Sequence, residues 1–166
     1  MKRKMNAIAI LGVLLGILLD QYTKYLAQTH LPNAPISIIE NVFELCYLEN
    51  RGAAFGMMQN QQMLFIGLCA IFLVVGSIAY MKMPYTKRMV PMRLCMILIA
   101  TGAIGNMIDR IRLQYVIDFF YFKLINFPIF NVADIFVTVA AFFVGFLILF
   151  YYKEEEIDEM FGKSSK

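Results

Sequence analysis

Apolar residues fall along the chain in four long runs, at about Met5–Leu26, Met63–Met81, Met89–Ile108 and Ile135–Tyr152. A helix crosses a hydrocarbon core with about 20 mostly apolar residues, each rising about 1.5 Å. The second and fourth runs hold no charged residue. The third holds only Arg93 near its start, where a long stem can snorkel to the interface. The first begins with Lys2-Arg3-Lys4 and an uncharged stretch, Met5–Leu19, which imitates a secretory signal peptide. No small-x-small cleavage site closes it, so it reads as a retained first span. Between the first two runs, Ile36–Glu40 and Val42–Leu48 are rich in β-branched and aromatic residues and predict short strands on the membrane surface. Val116–Phe122 is another extended apolar stretch.

Composition agrees with this pattern. Hydrophobic residues make up 60% of the 166 and charged ones 16%, with mean hydropathy +0.66. A soluble domain is nearer half apolar and a quarter charged. The chain therefore reads as one integral membrane domain over residues 1–166, mainly α, with four transmembrane helices. No Gly/Ser-rich linker or tandem repeat divides it. Cys46, Cys69 and Cys95 form no CxxC pair, and His30, in a loop, is the only histidine, so thiol-redox and zinc chemistry find little support.

The net charge is only +3, but its distribution orients the spans. Lys2, Arg3 and Lys4, then Lys82, Lys87, Arg88 and Arg93, then Lys153 all flank one end of an even number of spans. The positive-inside rule puts that end, with both termini, in the cytoplasm. Residues 27–62 and 110–134 then lie outside. The tail 153–166, with its run of glutamates, reads as a solvated cytoplasmic end without chemistry.

That topology gathers polar residues from distant segments at the outer end: Asp20, Thr23 and Lys24; Asn106, Asp109 and Arg110; Asn131 and Asp134. Ionisable groups at a membrane boundary are costly, and their clustering marks a functional site. Asn106, Asp109 and Arg110 share a helix face at i, i+3 and i+4. Gly102 and Gly105 lie a turn earlier and allow another backbone to come close.

Each polar residue also has a plainer reading. Asp134 and Asn131 could cap a helix. Asp118 could face water from an edge strand. Asp109 and Arg110 could form an interfacial ion pair, and Asp20 and Lys24 a helical i, i+4 pair. Phe119 to Phe122 could be an aromatic belt or a lipid-contacting surface. The small residues of Asn50–Gly56 suit either a tight turn or close approach to a bound chain. Serine chemistry needs a neighbouring base. A Ser37–Lys24 pair is conceivable, but nothing in the spacing favours it. Two nearby carboxylates sharing one proton remain, with one acting as base on water and the other protonating a peptide carbonyl.

Five blocks carry a family resemblance: Asp-Gln-x-Thr-Lys at 20–24, Asn-x-Gly-Ala-Ala-Phe at 50–55, Gly-Ala-x-Gly-Asn-x-x-Asp-Arg at 102–110, Val-Ile-Asp-Phe at 116–119 and Phe-Asn-x-Ala-Asp at 130–134. In this order the chain resembles bacterial lipoprotein signal peptidase, signal peptidase II. The resemblance implies an aspartyl endopeptidase of the bacterial cell membrane that removes signal peptides from diacylglyceryl-modified prolipoproteins. It cuts N-terminal to the lipidated cysteine, at the extracytoplasmic face. Asp118 and Asp134 match the catalytic pair. Asn106, Asp109, Arg110 and Asn131 match polar residues around it, and Asp20, Lys24, Asn50 and Gly52 match positions that hold the site or contact substrate. The resemblance further implies a small extracytoplasmic β-cradle, contact with membrane lipid and inhibition by globomycin-type lipopeptides. It implies no metal, cofactor or nucleic-acid partner, and leaves the oligomeric state open.

Overall fold

The computed structural model describes residues 2–52 and 59–160. Four long helices, α1 (Lys2–His30), α2 (Gln62–Lys82), α3 (Val90–Leu113) and α4 (Val132–Phe146, continuing as a π-helical turn, Leu147–Tyr151), are long and apolar enough to cross a membrane. Their outer faces leave large apolar side chains uncovered, such as Leu18, Ile71 and Phe142, the last 78% exposed. For helices in hydrocarbon this is the expected surface, since lipid tails solvate leucine as well as protein does.

The helix α3 is the centre of the bundle, packing against each of the other three. Pro91 starts it, where a missing N–H costs nothing, and Gln114 in the left-handed region (φ 67°) ends it. It runs five residues past the expected Ile108, so Asp109 and Arg110 are helical. Close packing depends on two glycines. A Cβ at Gly102 would collide with the Ala133 carbonyl and Val137, and one at Gly105 would lie 2.6 Å from Asp20 Oδ2. Both α1 and the start of α4 thus press directly on the α3 backbone.

Strands β1 (Ile36–Ile39), β2 (Phe43–Asn50) and β3 (Val116–Tyr121) form an antiparallel sheet in that order at the end of the bundle where α1 and α3 finish. The β2–β3 ladder sets Leu48 opposite Asp118 and Asn50 opposite Val116. On its other side β3 pairs with Phe130, whose N–H and carbonyl bond to Phe120 at 3.1 and 2.8 Å. This short bridge delivers Asn131 and the first turn of α4 beside Asp118. Phe119 is buried with Ala27, Leu31 and Ile117, while Phe122 is 41% exposed. The aromatic run therefore divides between the core and the surface.

Three expectations need correction at the other parts of the chain. Arg93 does not snorkel. It is 2% exposed, donates to the Met83 carbonyl at 2.5 Å and lies over the Tyr80 and Tyr85 rings at 4.5 and 3.9 Å. The α2–α3 turn supplies acceptor and aromatic faces closer than water. His30 closes α1 rather than lying in a loop, its Nδ1 3.0 Å from the Leu26 carbonyl. The tail is not simply solvated: α5 (Glu154–Met160) folds back, pairing Glu156 with Arg88 Nε at 2.8 Å and burying Met160 against the Met83–Met92 cluster.

Candidate active site

Asp20 and Lys24 stand one turn apart on α1, and both are buried, as their i, i+4 spacing on the inner face requires. The Lys24 ammonium donates to Asp20 Oδ2 at 3.0 Å, Asp109 Oδ2 at 2.9 Å and Asn106 Oδ1 at 2.9 Å. An ammonium has three N–H groups, so all are used. Asp20 Oδ1 accepts from the Ala133 N–H at 2.9 Å, and Asp109 Oδ2 accepts from the Ile117 N–H at 3.2 Å. One lysine and two carboxylates thereby join α1, α3, α4 and β3. A buried charge persists only with such partners, since removing one leaves the others desolvated and unpaired.

Gln21 belongs to this network and was not singled out from the sequence. Its Nε2 reaches Asp20 Oδ2, Asp109 Oδ1 and the Gly105 carbonyl at 3.1, 3.0 and 3.2 Å. Its place between Asp20 and Lys24 in the 20–24 block was the available signal. The expected Asp109–Arg110 pair does not form. Successive helical residues do not face each other: Asp109 turns inward to Lys24, while Arg110 lies over Phe65, 4.9 Å from the ring centre.

The second layer holds the two remaining aspartates. Asn131 is the N-cap of α4, accepting from the Asp134 N–H at 3.0 Å, while Asp134 Oδ2 accepts from the Asn131 N–H at 3.1 Å. This reciprocal capping box satisfies two otherwise orphaned donors. The same asparagine donates through Nδ2 to Asp118 Oδ1 at 2.6 Å and to Asn106 Oδ1 at 3.1 Å. Asn106 Nδ2 donates in turn to Asp134 Oδ1 at 2.8 Å. One asparagine therefore joins both carboxylates, capping α4 through its oxygen and backbone N–H while its Nδ2 reaches Asp118.

Asp118 does not face water. It is 1% exposed, and its second oxygen accepts from Asn50 Nδ2 at 2.8 Å. Burial, then repulsion from Asp134, pushes its pKa up to about 7. The hydrogen bonds from Asn50 and Asn131 and the charge of Lys24 oppose that rise. Asn50 Oδ1 accepts from the Gly52 N–H at 3.0 Å, an Asx turn that brings the Gly52 carbonyl within 3.4 Å of Arg110 Nη2. Arg110 Nε is buried without a partner among the described residues. Residues 53 and 54, expected as part of a substrate surface, lie outside the described residues. Ser37 lies on exposed β1, and Lys24 has no N–H left to serve it.

The structure thus brings together Asp20, Lys24, Asn106, Asp109, Asn131, Asp118, Asp134, Asn50 and Gly52, with Arg110 at their edge. Among the described residues no group of three or more His, Cys, Asp or Glu is arranged to hold a metal ion. Four apolar spans, with an aspartate pair joined through asparagines at one end of the bundle, define a multi-pass membrane protein.

Comparison with known proteins names the family. A family model described as signal peptidase (SPase) II matches residues 12–150. The lipoprotein signal peptidase of Caldanaerobacter subterraneus subsp. tengcongensis is 46% identical over 144 residues, covering 86% of this chain and 96% of that protein. The one from Clostridioides difficile is 44% identical over 144 residues, covering 86% and 95%. Two solved structures, each described as a bacterial membrane enzyme obtained by the in meso method, at 2.3 and 1.9 Å resolution, align with TM-scores of 0.76 and 0.74. They are 27% and 26% identical, covering 89% and 88% of this chain and 93% and 95% of theirs. The chain belongs to the signal peptidase II family.

Proposed function

We infer that the protein is an aspartyl endopeptidase that removes signal peptides from diacylglyceryl-modified prolipoproteins, cutting N-terminal to the lipidated cysteine, with Asp118 and Asp134 as the catalytic pair. The observation that carries this reading is the Asn131 amide, which donates to one carboxylate and, through its cap, holds the other. Two carboxylates so close ionise together only at a high cost, so the pair shares one proton near neutral pH. The ionised member takes a proton from water as its oxygen attacks the scissile carbonyl carbon. The protonated member gives its proton to the carbonyl oxygen, forming a tetrahedral diol. Collapse breaks the C–N bond, and the proton taken from water goes to the leaving amine.

The other residues position this pair. Lys24, Asp20 and Asp109 tie the helices beneath it. Arg110, whose Nε has no partner among the described residues, is suited to hold a substrate backbone carbonyl from the side of Gly52. The basic residues at the opposite ends of the spans support a position for the pair at the extracytoplasmic face. There, two acyl chains sunk in the bilayer fix the depth of the scissile bond, each buried CH₂ contributing about 0.8 kcal/mol. Globomycin-type lipopeptides, which present an acyl chain beside a peptide, fit the same site.

The test uses purified enzyme and one precursor, with and without prior diacylglyceryl transfer, and sequences the new N-terminus. Cleavage just before the cysteine is expected only in the lipidated form, and Asp118→Asn and Asp134→Asn should each abolish it. Equal cleavage of both forms, or turnover by either variant, would overturn the reading.

A further inference from the structure

We propose that the cleft between α1 and α2, at the end of the bundle opposite the aspartates, binds an anionic glycerophospholipid. One acyl chain fills the cleft, and the phosphate sits on the cations at its rim. Both helices lie against α3, and the space between them is a cavity of about 440 Å³ lined by apolar side chains such as Val13, Phe72 and Ile97, with Gly76 leaving room on the α2 side. That volume falls within the range of about 300–1,000 Å³ usual for ligand sites. Its innermost lining residues, Leu14 and Ala100, lie six residues short of Asp20 and Asn106, or about 9 Å along each helix. It is not part of the catalytic site.

The end of the cavity away from the aspartates is polar, and two cations lie just beyond its lining. Asn6 and Tyr80 line it there. Asn6 Oδ1 accepts from the Tyr85 hydroxyl at 3.1 Å, and the Tyr85 ring carries two cations, Lys2 Nζ at 5.4 Å and the Arg93 guanidinium at 3.9 Å. Arg93 Nε and Nη1 are buried without an acceptor among the described residues. Buried donors of this kind are ordinarily satisfied. A phosphate beside Tyr85 meets the exposed Lys2 ammonium directly and lies close to the buried charge of Arg93.

Charge decides the occupant. A signal peptide is also an apolar helix, but its n-region carries Lys or Arg, and here it would meet Lys2, Arg3, Lys4 and Arg93. An anionic headgroup meets opposite charge, worth about 1 kcal/mol per nearby Lys or Arg.

The experiment titrates the purified full-length protein in detergent with phosphatidylglycerol, and separately with phosphatidylcholine of the same chains, and counts bound lipid by native mass spectrometry. One phosphatidylglycerol should be held at least about tenfold more tightly than phosphatidylcholine. Gly76 lines the cavity and a Cβ there meets nothing within 4 Å, so Gly76→Leu is the variant chosen to obstruct it. It should remove the tight lipid and leave precursor cleavage in detergent unchanged. Lys2→Gln should weaken phosphatidylglycerol about fivefold and leave phosphatidylcholine as it was. Equal retention of the two lipids, or wild-type retention by Gly76→Leu, overturns the proposal. So does a photo-crosslink from position 76 to the signal helix of a bound precursor, which would assign the cleft to the substrate.

Discussion

Replacing Asn50 should move the alkaline limb of the pH–rate profile upward. Asn50 Nδ2 donates to Asp118 Oδ2 at 2.8 Å, and that bond favours the ionised carboxylate. Asp118 already titrates at about 7 because burial and Asp134 outweigh the donors. In the proposed mechanism the pair works with one proton, so kcat/KM should fall as pH rises through about 7 and that proton is lost. A hydrogen bond to a charged group is worth about 1.5–3 kcal/mol, and one pKa unit is about 1.36 kcal/mol. Losing the bond entirely would raise the pKa by about 1–2 units. Asn50 is only half-buried, and water recovers part of the loss. The expected shift for Asn50→Ala is therefore about one unit, carrying the alkaline limb towards pH 8. The same side chain also holds the Gly52 N–H, so the plateau should drop as well, but a loosened loop lowers the height without moving the limb. The assay is kcat/KM on a lipidated precursor from pH 5 to about 9, since this ratio reports the free enzyme. A limb that stays in place, or moves down, would refute the argument that Asp118 carries the shared proton's titration.

Lys24→Met should lower stability by about 3–5 kcal/mol, because Asp20 and Asp109 keep their burial and lose their shared cation. Thermal unfolding in detergent would show it, and an unchanged midpoint would mean water reaches the pair. Arg110→Lys should reduce kcat/KM about tenfold, or about 1.4 kcal/mol, because a lysine cannot reproduce a planar fork lying over Phe65 and reaching Gly52. Near-normal turnover would leave only its charge as relevant. A reporter active only outside the cytoplasm should stay silent when fused after Lys166 and work when inserted near Pro32. The opposite pattern would place the aspartates at the cytoplasmic face.

Hydropathy alone determined the four spans, because about 20 apolar residues in a row have few other places to go. The basic flanks then sorted Asp20, Lys24, Asn106, Asp109, Asn131 and Asp134 to one end of the bundle before any contact was known. Gly102 and Gly105 were legible as points of close approach, since only a missing Cβ explains two of them beside a polar face. The capping relation of Asn131 and Asp134 was legible too, being a matter of three residues' spacing.

What the chain order does not contain is the pairing of segments far apart in it. Asp118 could be read as facing water or facing inward, because a strand's alternation says which residues share a face and not which face is covered. The Phe120–Phe130 bridge and the β2–β3 register decide it, bringing Asn131 and Asn50 to its two oxygens. Asp109 had an arginine beside it in sequence and chose a lysine on another helix, because neighbouring helical side chains diverge while packed helices converge. Gln21, the three acceptors of Lys24 and the return of α5 to Arg88 are of the same kind. Each depends on how closely two elements approach, and only the packing of α1, α4 and the sheet around α3 sets that distance.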